Sequence, residues 1–420
     1  MKILTVSHFY PPIRSGGYAQ LTAEVCDKLK ARGHQIEILT SRFDVHTTTK
    51  EPHVHRLLYL ENDLNYYSPR RFLTQWLLEE MENDKVVKDL VGIIRPDVAF
   101  IWGMYGISHS VPAALERLLP NRVIYYISDH WPINPSFHEK YWRSTPNSIL
   151  GHMIKPIGAR SAQSLLKMRG YPPKLDFEHT IIVSDAVRRN LLSDGVPIQD
   201  STVIHAGTDA SEYLFQRDYN RLLDENDPIK LLYAGTIGHH KGVHTIIEAL
   251  ALLHDELQQG KLTLSIYGSG HPDYEHFLRQ QIASNHLERW ISMPGKIPGK
   301  KIPGALLQEH AVLIIPSICE DALPRIVQEA MLSGMVVIGS ERGGIPEMLS
   351  HSETGLLFES GNAQTLANQI LKVMTDRQLA VRLAQAGQEK ALKNFSLELM
   401  VDRIEAYLKS RFLNGKPIIL

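Results

Sequence analysis

Three carboxylates in one short segment have the types and spacing that best suit ligand chemistry in this chain. Glu320 and Asp321 follow an apolar run that ends at Pro316–Ser317, and Glu329 comes eight residues after Asp321. A helix is predicted to begin near Pro324, since proline suits the first helical position. Ionised carboxylates only accept hydrogen bonds, so a loop acid and a helix acid can bind neighbouring hydroxyl groups of a sugar or ribose. The alternative is an acidic helix start with one solvated surface acid.

Glycines and a lysine beside predicted helix starts suggest two places for an anion. The segment YAGTIGHHKG runs from a strand through Gly235 and Thr236 to Lys241, just before a helix. A lysine and a helix N-terminus can hold a diphosphate together. The P-loop spacing is absent here. Gly16 and Gly17 follow the first strand, where backbone N–H groups can approach a phosphate, although an ordinary strand–helix turn is the alternative.

Metal and dinucleotide signals are weak. His239, His240 and His244 lie close together, but no nearby cysteine or carboxylate completes a zinc-type site. The chain has no Asp-x-Asp pair, which is a common carboxylate motif for a divalent ion, so we predict no divalent metal. We also predict no cofactor. Gly268 and Gly270 form a GxG without its third glycine, and neither half of the chain has a complete nicotinamide fingerprint.

Apolar runs that are typical of buried strands recur along the chain. These strands would position the candidate carboxylates, glycines and lysine. They are rich in Ile, Val and Leu and lack polar alternation, which is typical of parallel strands covered on both faces. They alternate with amphipathic stretches such as 19–32 and 243–254, which predicts doubly wound α/β sheets. The predicted strands are 2–7, 35–41, 97–102, 122–128, 180–184, 201–205, 229–234, 262–267, 290–293, 311–315 and 335–339.

One polar stretch of mixed charge interrupts this alternation at 209–228. We therefore predict two Rossmann-like domains, 1–208 and 209–394, with a final helix at about 395–420 that can return to the first domain. Ligands of such sheets bind at the carboxyl ends of the strands, where the strand order reverses. Two such edges facing each other predict an interdomain cleft, which suits a two-substrate reaction that needs water excluded.

Composition excludes several classes of protein. The formal net charge of −1 provides no overall field for nucleic acid, so no nucleic-acid partner is predicted. Cys26 and Cys319 are the only cysteines, which fits a reducing compartment. No apolar stretch approaches the length of a membrane span, and the first apolar run is too short for a signal peptide. We expect a cytoplasmic protein.

Several motifs, in order along the chain, resemble those of the retaining family 4 glycosyltransferases of the GT-B fold. Besides the acidic segment and the Gly16-Gly17 loop, they are RGHQIEILT, VSDAVRRNLLSDGVP, VIHAGTD, YAGTIGHHKG, IYGSG, GGIPEML and TGLLF. The resemblance covers nearly the whole chain. It implies metal-independent, retaining transfer of a hexose-type sugar from a nucleotide diphosphate sugar. The acceptor would be a glycan, a lipid-linked molecule or a small molecule, in polysaccharide or glycoconjugate biosynthesis.

The resemblance also implies roles for individual residues. Asp321 would contact the transferred sugar, Glu329 the nucleotide ribose and Lys241 the phosphates. The predicted donor-binding residues are Gly16, Gly17, Gly235, Thr236, Lys241, Asp321, Leu323, Pro324, Arg325 and Glu329. The predicted catalytic residues are Asp321, Lys241, Asp129 and His130.

Three positions depart from the family pattern. The signature Glu-x7-Glu is Asp-x7-Glu here, because Asp321 stands at its first position and Glu329 at its second. Thr236 occupies a position where the family often has an arginine paired with the lysine that matches Lys241. The family's His-Asp pair after a strand of the first domain is replaced by Asp129-His130, so either residue is a candidate to orient a substrate.

The acceptor and two rival functions stay open. Segment 151–174 carries five basic residues and no acid among apolar residues. Peripheral contact with the anionic inner membrane surface is one interpretation, which suits a lipid-linked acceptor, and a solvated connection between helices is the other. A nucleotide-sugar epimerase of similar fold is the first rival. A catalytically silent nucleotide-sugar-binding scaffold is the second, and it is kept open by Asp321 and Thr236.

Overall fold

The computed structural model describes residues 1–13, 16–43, 51–62, 66–146, 149–214, 219–224, 227–297, 302 and 304–412. The chain divides into two compact units. Unit 1 comprises Met1–Val183, Arg188–Ile204 and Val401–Leu420, and unit 2 comprises Ser184–Val187 and His205–Met400. None of the helices within the described ranges combines the length and the apolar character needed to span a bilayer.

The division after Ile204 differs from the predicted boundary after residue 208, and residues 395–400 belong to unit 2 rather than to unit 1. Backbone hydrogen bonds explain both differences. The Thr208 N–H donates to the Phe395 carbonyl at 2.9 Å, and the Leu397 N–H donates to the Thr208 carbonyl at 3.0 Å. These bonds connect residues 205–208 to residues 395–397, and both segments belong to unit 2.

Unit 1 contains a parallel sheet of seven strands in the order β3-β2-β1-β4-β5-β6-β7. Its strands are β1 Lys2–Ser7, β2 Gln35–Ser41, β3 Val54–Leu58, β4 Val98–Ile101, β5 Val123–Ile127, β6 His179–Ile182 and β7 Thr202–Val203. The helices between them are α1 Gly16–Ala31, α2 Pro69–Ile94, α3 Ser110–Leu118, α4 Phe137–Arg143, α5 Ile149–Met168 and α6 Asp185–Ser193.

Unit 2 contains a parallel sheet of six strands in the order β10-β9-β8-β11-β12-β13. Its strands are β8 Ile229–Ala234, β9 Leu262–Tyr267, β10 Ile291–Gly295, β11 Val312–Ile315, β12 Val336–Ser340 and β13 Leu356–Phe358. The remaining helices of the chain are α7 Asn220–Leu223, α8 Val243–Ala251, α9 His254–Gln258, α10 Pro272–Ser284, α11 Gly304–Glu309, α12 Arg325–Leu332, α13 Ile345–Met348, α14 Ala363–Thr375, α15 Arg377–Asn394 and α16 Leu397–Phe412.

Each predicted strand is present, and the α/β prediction is confirmed. The predicted bounds of β1, β2, β8 and β9 match the structure, and those of the others differ by one or two residues at an end. Strands β3 and β13 were not predicted. Both lie at a sheet edge. The sequence of β3, VHRLL, has polar residues and is mostly half-buried, and β13 is only three residues long. Neither therefore shows the continuous apolar run of a strand covered on both faces.

The strand order reverses between β1 and β4 in unit 1 and between β8 and β11 in unit 2. The inner strands at these points are almost entirely buried, with β4 and β11 buried at each position. Loops that follow such strands are the usual place for ligands in open parallel sheets. In unit 2 these loops carry Lys241, after β8, and Asp321, after β11.

Candidate active site

The loops that follow β8 and β11 lie against each other in unit 2. The Ile318 and Cys319 N–H groups both donate to the His240 carbonyl, at 3.0 Å each. Gly242 has a φ of +68°, and a Cβ added there would lie 2.0 Å from the Pro316 carbonyl oxygen. Only glycine permits this approach, because any side chain would force the two loops apart. The close packing brings residues 80 positions apart in sequence into contact.

Lys241 and Asp321, both predicted site residues, form an ion pair across these loops. The Lys241 ammonium contacts Asp321 Oδ1, and the Ser317 hydroxyl donates to Asp321 Oδ2. The side chains of Lys241 and Asp321 are 25% and 15% exposed, so the pair is partly accessible from solvent. An ammonium group has three N–H donors. Lys241 can therefore keep Asp321 and still bind a phosphate oxygen.

The loop after β12 supports the backbone at Asp321. The Gly344 N–H donates to the Asp321 carbonyl at 2.7 Å. Gly343 has a φ of +57°, and a Cβ there would lie 2.3 Å from the same oxygen. Arg342 pairs with Glu320, the extra acid of the segment, with 2.8 Å between Nε and Oε1. Glu320 and Asp321 therefore have different partners.

Gly235 and Thr236 are exposed at the end of β8. The Gly235 N–H donates to the Tyr267 carbonyl at 3.0 Å, and the Tyr233 hydroxyl donates to the Thr236 carbonyl at 2.7 Å. A Cβ added at Gly268 would lie 1.8 Å from the Gly235 oxygen. The GxG after β9 thus permits close packing of two strand ends.

The remaining predicted donor residues of unit 2 lie on or before α12. Pro324 occupies the position before the helix, which begins at Arg325, one residue later than predicted. Leu323 is buried and Arg325 is half-buried. Burial together with the nearby Glu329 charge raises the pKa of the Tyr213 hydroxyl.

Asp129 and His130, the predicted catalytic residues of unit 1, have different surroundings. Asp129 Oδ1 accepts the Trp131 N–H at 2.9 Å, and Asp129 lines a cavity of about 470 Å³. His130 instead places Nε2 at 3.3 Å from the side-chain nitrogen of Asn190. Of this pair, Asp129 is the residue that faces a possible ligand.

Gly16 and Gly17 are the first two residues of α1, so they form part of the helix start rather than a loop before it. In unit 2, the His239 and His244 rings stack at 4.8 Å, and His244 Nδ1 lies 2.7 Å from the Tyr274 hydroxyl. Across the described ranges, no group of three or more His, Cys, Asp or Glu side chains has the arrangement of a metal site.

Two family models match consecutive parts of the chain. Glycosyltransferase Family 4 matches residues 15–212, and Glycosyl transferases group 1 matches residues 216–390. The chain belongs to the family 4 glycosyltransferases. The predicted family is thereby confirmed.

Relatives of this glycosyltransferase agree with the assignment. The amylovoran biosynthesis glycosyltransferase AmsK of Erwinia amylovora is 26% identical over 245 residues, or 56% of this chain and 58% of that protein. The chain thus matches just over half of that relative's length. The N-acetyl-alpha-D-glucosaminyl L-malate synthase of Bacillus anthracis is 23% identical over 405 residues, or 94% of each protein.

A solved structure supports the fold of this glycosyltransferase. The Anabaena protein Alr3699/HepE, crystallised with UDP, has a TM-score of 0.66 at 19% identity, and the match covers 98% of this chain and 100% of that one. At this identity the likeness concerns the fold. It confirms the predicted GT-B architecture.

Four residues of this glycosyltransferase with notable contacts were not predicted for its site: Ser317, Arg342, Tyr213 and Glu61. Ser317 had a usable signal, because a hydroxyl four residues before a loop acid can bond to it. Arg342 pairs with Glu320, Tyr213 lies near Glu329, and Glu61 accepts a hydrogen bond from the Tyr171 hydroxyl. Only the folded chain brings these partners near each other. Local patterns in the sequence do not reveal such contacts.

Proposed function

We propose that this glycosyltransferase transfers a sugar from a nucleotide diphosphate sugar, held mainly by unit 2, to a hydroxyl group of an acceptor. The observation that carries the proposal is the pairing of Lys241 with Asp321 where the strand order of unit 2 reverses. A partly exposed cation beside closely packed backbone is suited to a diphosphate. The crystallisation of the Anabaena protein with UDP and with UDP-glucose supports a nucleotide-sugar donor.

In the proposed reaction the residues of unit 2 stabilise the departing nucleotide. Lys241, aligned by Asp321, binds the diphosphate oxygens and offsets the charge that develops on them. Glu329 accepts hydrogen bonds from the ribose hydroxyls. The backbone of Gly235, Thr236 and 323–325 lies along the donor.

The bond changes follow from retention of configuration, which is part of the proposal. The acceptor oxygen bonds to the anomeric carbon on the face from which the phosphate leaves, and the carbon–phosphate oxygen bond breaks. The acceptor proton passes to the leaving phosphate oxygen. Lys241 supplies the positive charge for this step, so we propose that no divalent metal takes part.

The acceptor is proposed to be a glycan or a lipid-linked or small molecule, used in polysaccharide or glycoconjugate biosynthesis in the cytoplasm. The amylovoran biosynthesis relative supports a role in polysaccharide formation. The transferred sugar is proposed to be a hexose, consistent with the UDP-glucose complex of the Anabaena protein.

Helix α5 is the surface that we propose for peripheral membrane contact. Ile157 and Met168 are 71% and 73% exposed, and Arg160 and Lys167 are also exposed. Leu166 is buried in an aromatic cluster, so it is not available to lipid. The side chains of residues 153 and 154, part of the predicted segment, lie outside the described residues. Co-sedimentation with phosphatidylglycerol vesicles but not with phosphatidylcholine vesicles is expected, and equal sedimentation with both would contradict this contact.

A donor screen tests the proposed function. Purified full-length protein is incubated with UDP-, GDP- and ADP-sugars, with and without EDTA, and thermal stability and donor consumption are measured. Stabilisation by sugars of one base, retained in EDTA, is expected because ligands stabilise the folded state. Conversion of the donor to its epimer without an acceptor would support the epimerase instead. Stabilisation without any turnover on an acceptor panel would support the silent scaffold.

A further inference from the structure

Three serines at the carboxyl edge of unit 2 converge on one backbone carbonyl group, that of Ser317. The Ser340 hydroxyl donates to the Ser317 carbonyl at 2.7 Å, and the Ser360 hydroxyl donates to it at 3.1 Å. The three residues lie at or just beyond the ends of β11, β12 and β13, which are neighbours in the sheet. A carbonyl oxygen has two lone pairs, and both are used here. The backbone at Ser317 is therefore held by the ends of two further strands.

Burial makes this arrangement of hydroxyl groups specific. Ser317 is 2% exposed and Ser340 is fully buried. A buried hydroxyl without a partner is costly, so each of them keeps its bond. On its other side the same segment is tied to the loop that carries Lys241, because the two N–H groups that follow Ser317 donate to the His240 carbonyl at 3.0 Å each. Ser317 is thus fixed relative to that loop.

The Ser317 hydroxyl divides the two oxygens of the Asp321 carboxylate between different partners. It donates to Oδ2, whereas Lys241 contacts Oδ1. The backbone of Asp321 is fixed as well, since its N–H donates to the Cys319 carbonyl at 2.8 Å and its carbonyl accepts the Gly344 N–H at 2.7 Å. While the serine bond is present, the carboxylate therefore offers a single oxygen to Lys241.

A contact with a single oxygen leaves the lysine suited to bind a second anion. The ammonium group has three N–H donors, and one carboxylate oxygen uses one of them. Without the serine hydroxyl, Asp321 Oδ2 would lose its donor in a side chain that is only 15% exposed. Lys241 is the cation already in contact with that carboxylate, so it would become the replacement donor. Because charge-assisted hydrogen bonds are strong, a lysine that shares two of them with a carboxylate has less to offer a phosphate.

We propose that Ser317 is a positioning residue of the diphosphate site, which keeps the Lys241 ammonium available by occupying Asp321 Oδ2. Ser340 and Ser360 act one step further away, because they hold the Ser317 backbone. The inference rests on the proposed function, since it concerns the same site. It adds how a lysine that is paired with a carboxylate still binds the diphosphate of a nucleotide.

Calorimetric titration of the full-length protein with UDP, GDP and ADP tests this inference, and the nucleotide that binds wild type most tightly is used for each variant. Ser317→Ala is expected to weaken binding by about three- to tenfold. Ser340→Ala, which keeps the Ser317 hydroxyl, is expected to weaken it by about twofold and provides a second test should Ser317→Ala fail to fold. Ser265→Ala is the control, because its hydroxyl lies 3.0 Å from His310 Nε2 within β9, away from the strand ends.

The Asp321→Asn background separates positioning from a merely structural role. Asparagine keeps the shape of the side chain but carries no charge with which to retain Lys241. Ser317→Ala should therefore cause no further loss of nucleotide affinity in that background. A merely structural role of the hydroxyl would cause the same loss in both backgrounds, because the strand ends would be disturbed equally.

Four results would each overturn the inference: unchanged affinity in Ser317→Ala, an equal loss in both backgrounds, an equal loss in Ser265→Ala, or no binding at all in Asp321→Asn. The last result would show that the Asp321 charge promotes diphosphate binding rather than competing with it. If none of the three nucleotides binds wild type, the proposed function itself is contradicted. Nucleotide binding in wild type together with any of the four results contradicts the Ser317 inference alone.

Discussion

The two sheets of this glycosyltransferase have the same order around their switch points, yet the loops at their carboxyl edges differ in charge and packing. In unit 2 the edge carries ion pairs, Lys241–Asp321 and Arg342–Glu320, among glycines that let backbone segments touch. In unit 1 the edge is an aromatic cavity in which burial disfavours the charges of Glu61 and His109.

The difference shows how one architecture supplies two binding chemistries. Parallel strands set the place of each site, and the loops set its electrostatics. A charged, glycine-rich edge suits a diphosphate, whereas aromatic rings line the cavity of unit 1 together with the exposed Lys140. If the charges of unit 2 serve the donor, substitutions that remove them should impair donor handling.

The largest effect is expected for Lys241→Met, which removes the cation of the unit 2 edge. Hydrogen bonds to charged groups contribute about 1.5–3 kcal/mol, so kcat should fall by about ten- to a hundredfold. Initial rates at saturating donor measure this effect. Lys230→Met is the control, because Lys230 is an exposed lysine near the opposite end of the same strand. Unchanged turnover in Lys241→Met would show that Lys241 does not contribute to catalysis.

A second large effect is expected for Gly242→Ala, which tests whether close loop packing holds the ion pair. The added Cβ would lie 2.0 Å from the Pro316 oxygen and push the β8 loop away from the β11 loop. Gly260→Ala is the matched control, since Gly260 has a similar φ of +71° but nothing within 4 Å of the added atom. Both variants bear about 1–2 kcal/mol of left-handed strain. Only Gly242→Ala should also weaken donor binding, as measured by calorimetry, and equal affinities would show that the packing is unimportant.

Much of the fold was predictable because both sheets are parallel and covered on both faces. Runs such as Val312–Ile315 are entirely apolar and buried, so their strands stand out in the sequence. The half-buried β3 and the three-residue β13 do not, because an edge strand needs neither length nor continuous apolar character. The boundary at 204 was missed because it depends on backbone pairing between Thr208 and 395–397.

The two edges differ in how far sequence could reveal them. Lys241 and Asp321 stand in recognisable motifs, and their contact follows from β8 lying next to β11. The contacts of Glu61 with Tyr171 and Phe137 join segments 110 and 76 residues apart without any motif. The raised pKa of Glu61 arises from burial, which depends on the folded chain as a whole. A charged loop with a recognisable motif is therefore easier to predict than a cavity whose walls come from distant segments.

A smaller effect is expected for Glu329→Gln, which asks whether both acids of the Asp-x7-Glu pattern serve the donor. The change keeps the side-chain shape and removes the charge, so donor affinity should fall by about three- to tenfold through a weaker acceptor for ribose hydroxyls. Glu320→Gln is the comparison, because Glu320 is paired with Arg342. Donor titration calorimetry distinguishes them. A larger loss of affinity in Glu320→Gln than in Glu329→Gln would mean that Glu320, rather than Glu329, binds the ribose hydroxyls.

The smallest effect concerns the ion pairs that Glu405 of α16 forms with Lys409 of the same helix and with residues just after the end of α1. Glu405 bonds with Lys409 at 2.7 Å, and with Arg32 and His34 at 3.1 Å each. The Lys409 hydrogen bond is the main cause that lowers the pKa of Glu405 to about 2, from an ordinary value of 4.5.

A lowered folded-state pKa means that this stabilisation is fully present above about pH 4.5 and is lost as pH falls towards 2. Glu405→Gln should therefore lower Tm by no more than about 2–4 °C at pH 7, the size expected of partly screened pairs. The difference from wild type should shrink as pH falls from about 4.5. Differential scanning fluorimetry between pH 7 and pH 3 measures it, with Glu389→Gln on the exposed face of α15 as the control. A difference that stays constant down to pH 3 would show that the Glu405 charge does not stabilise α16.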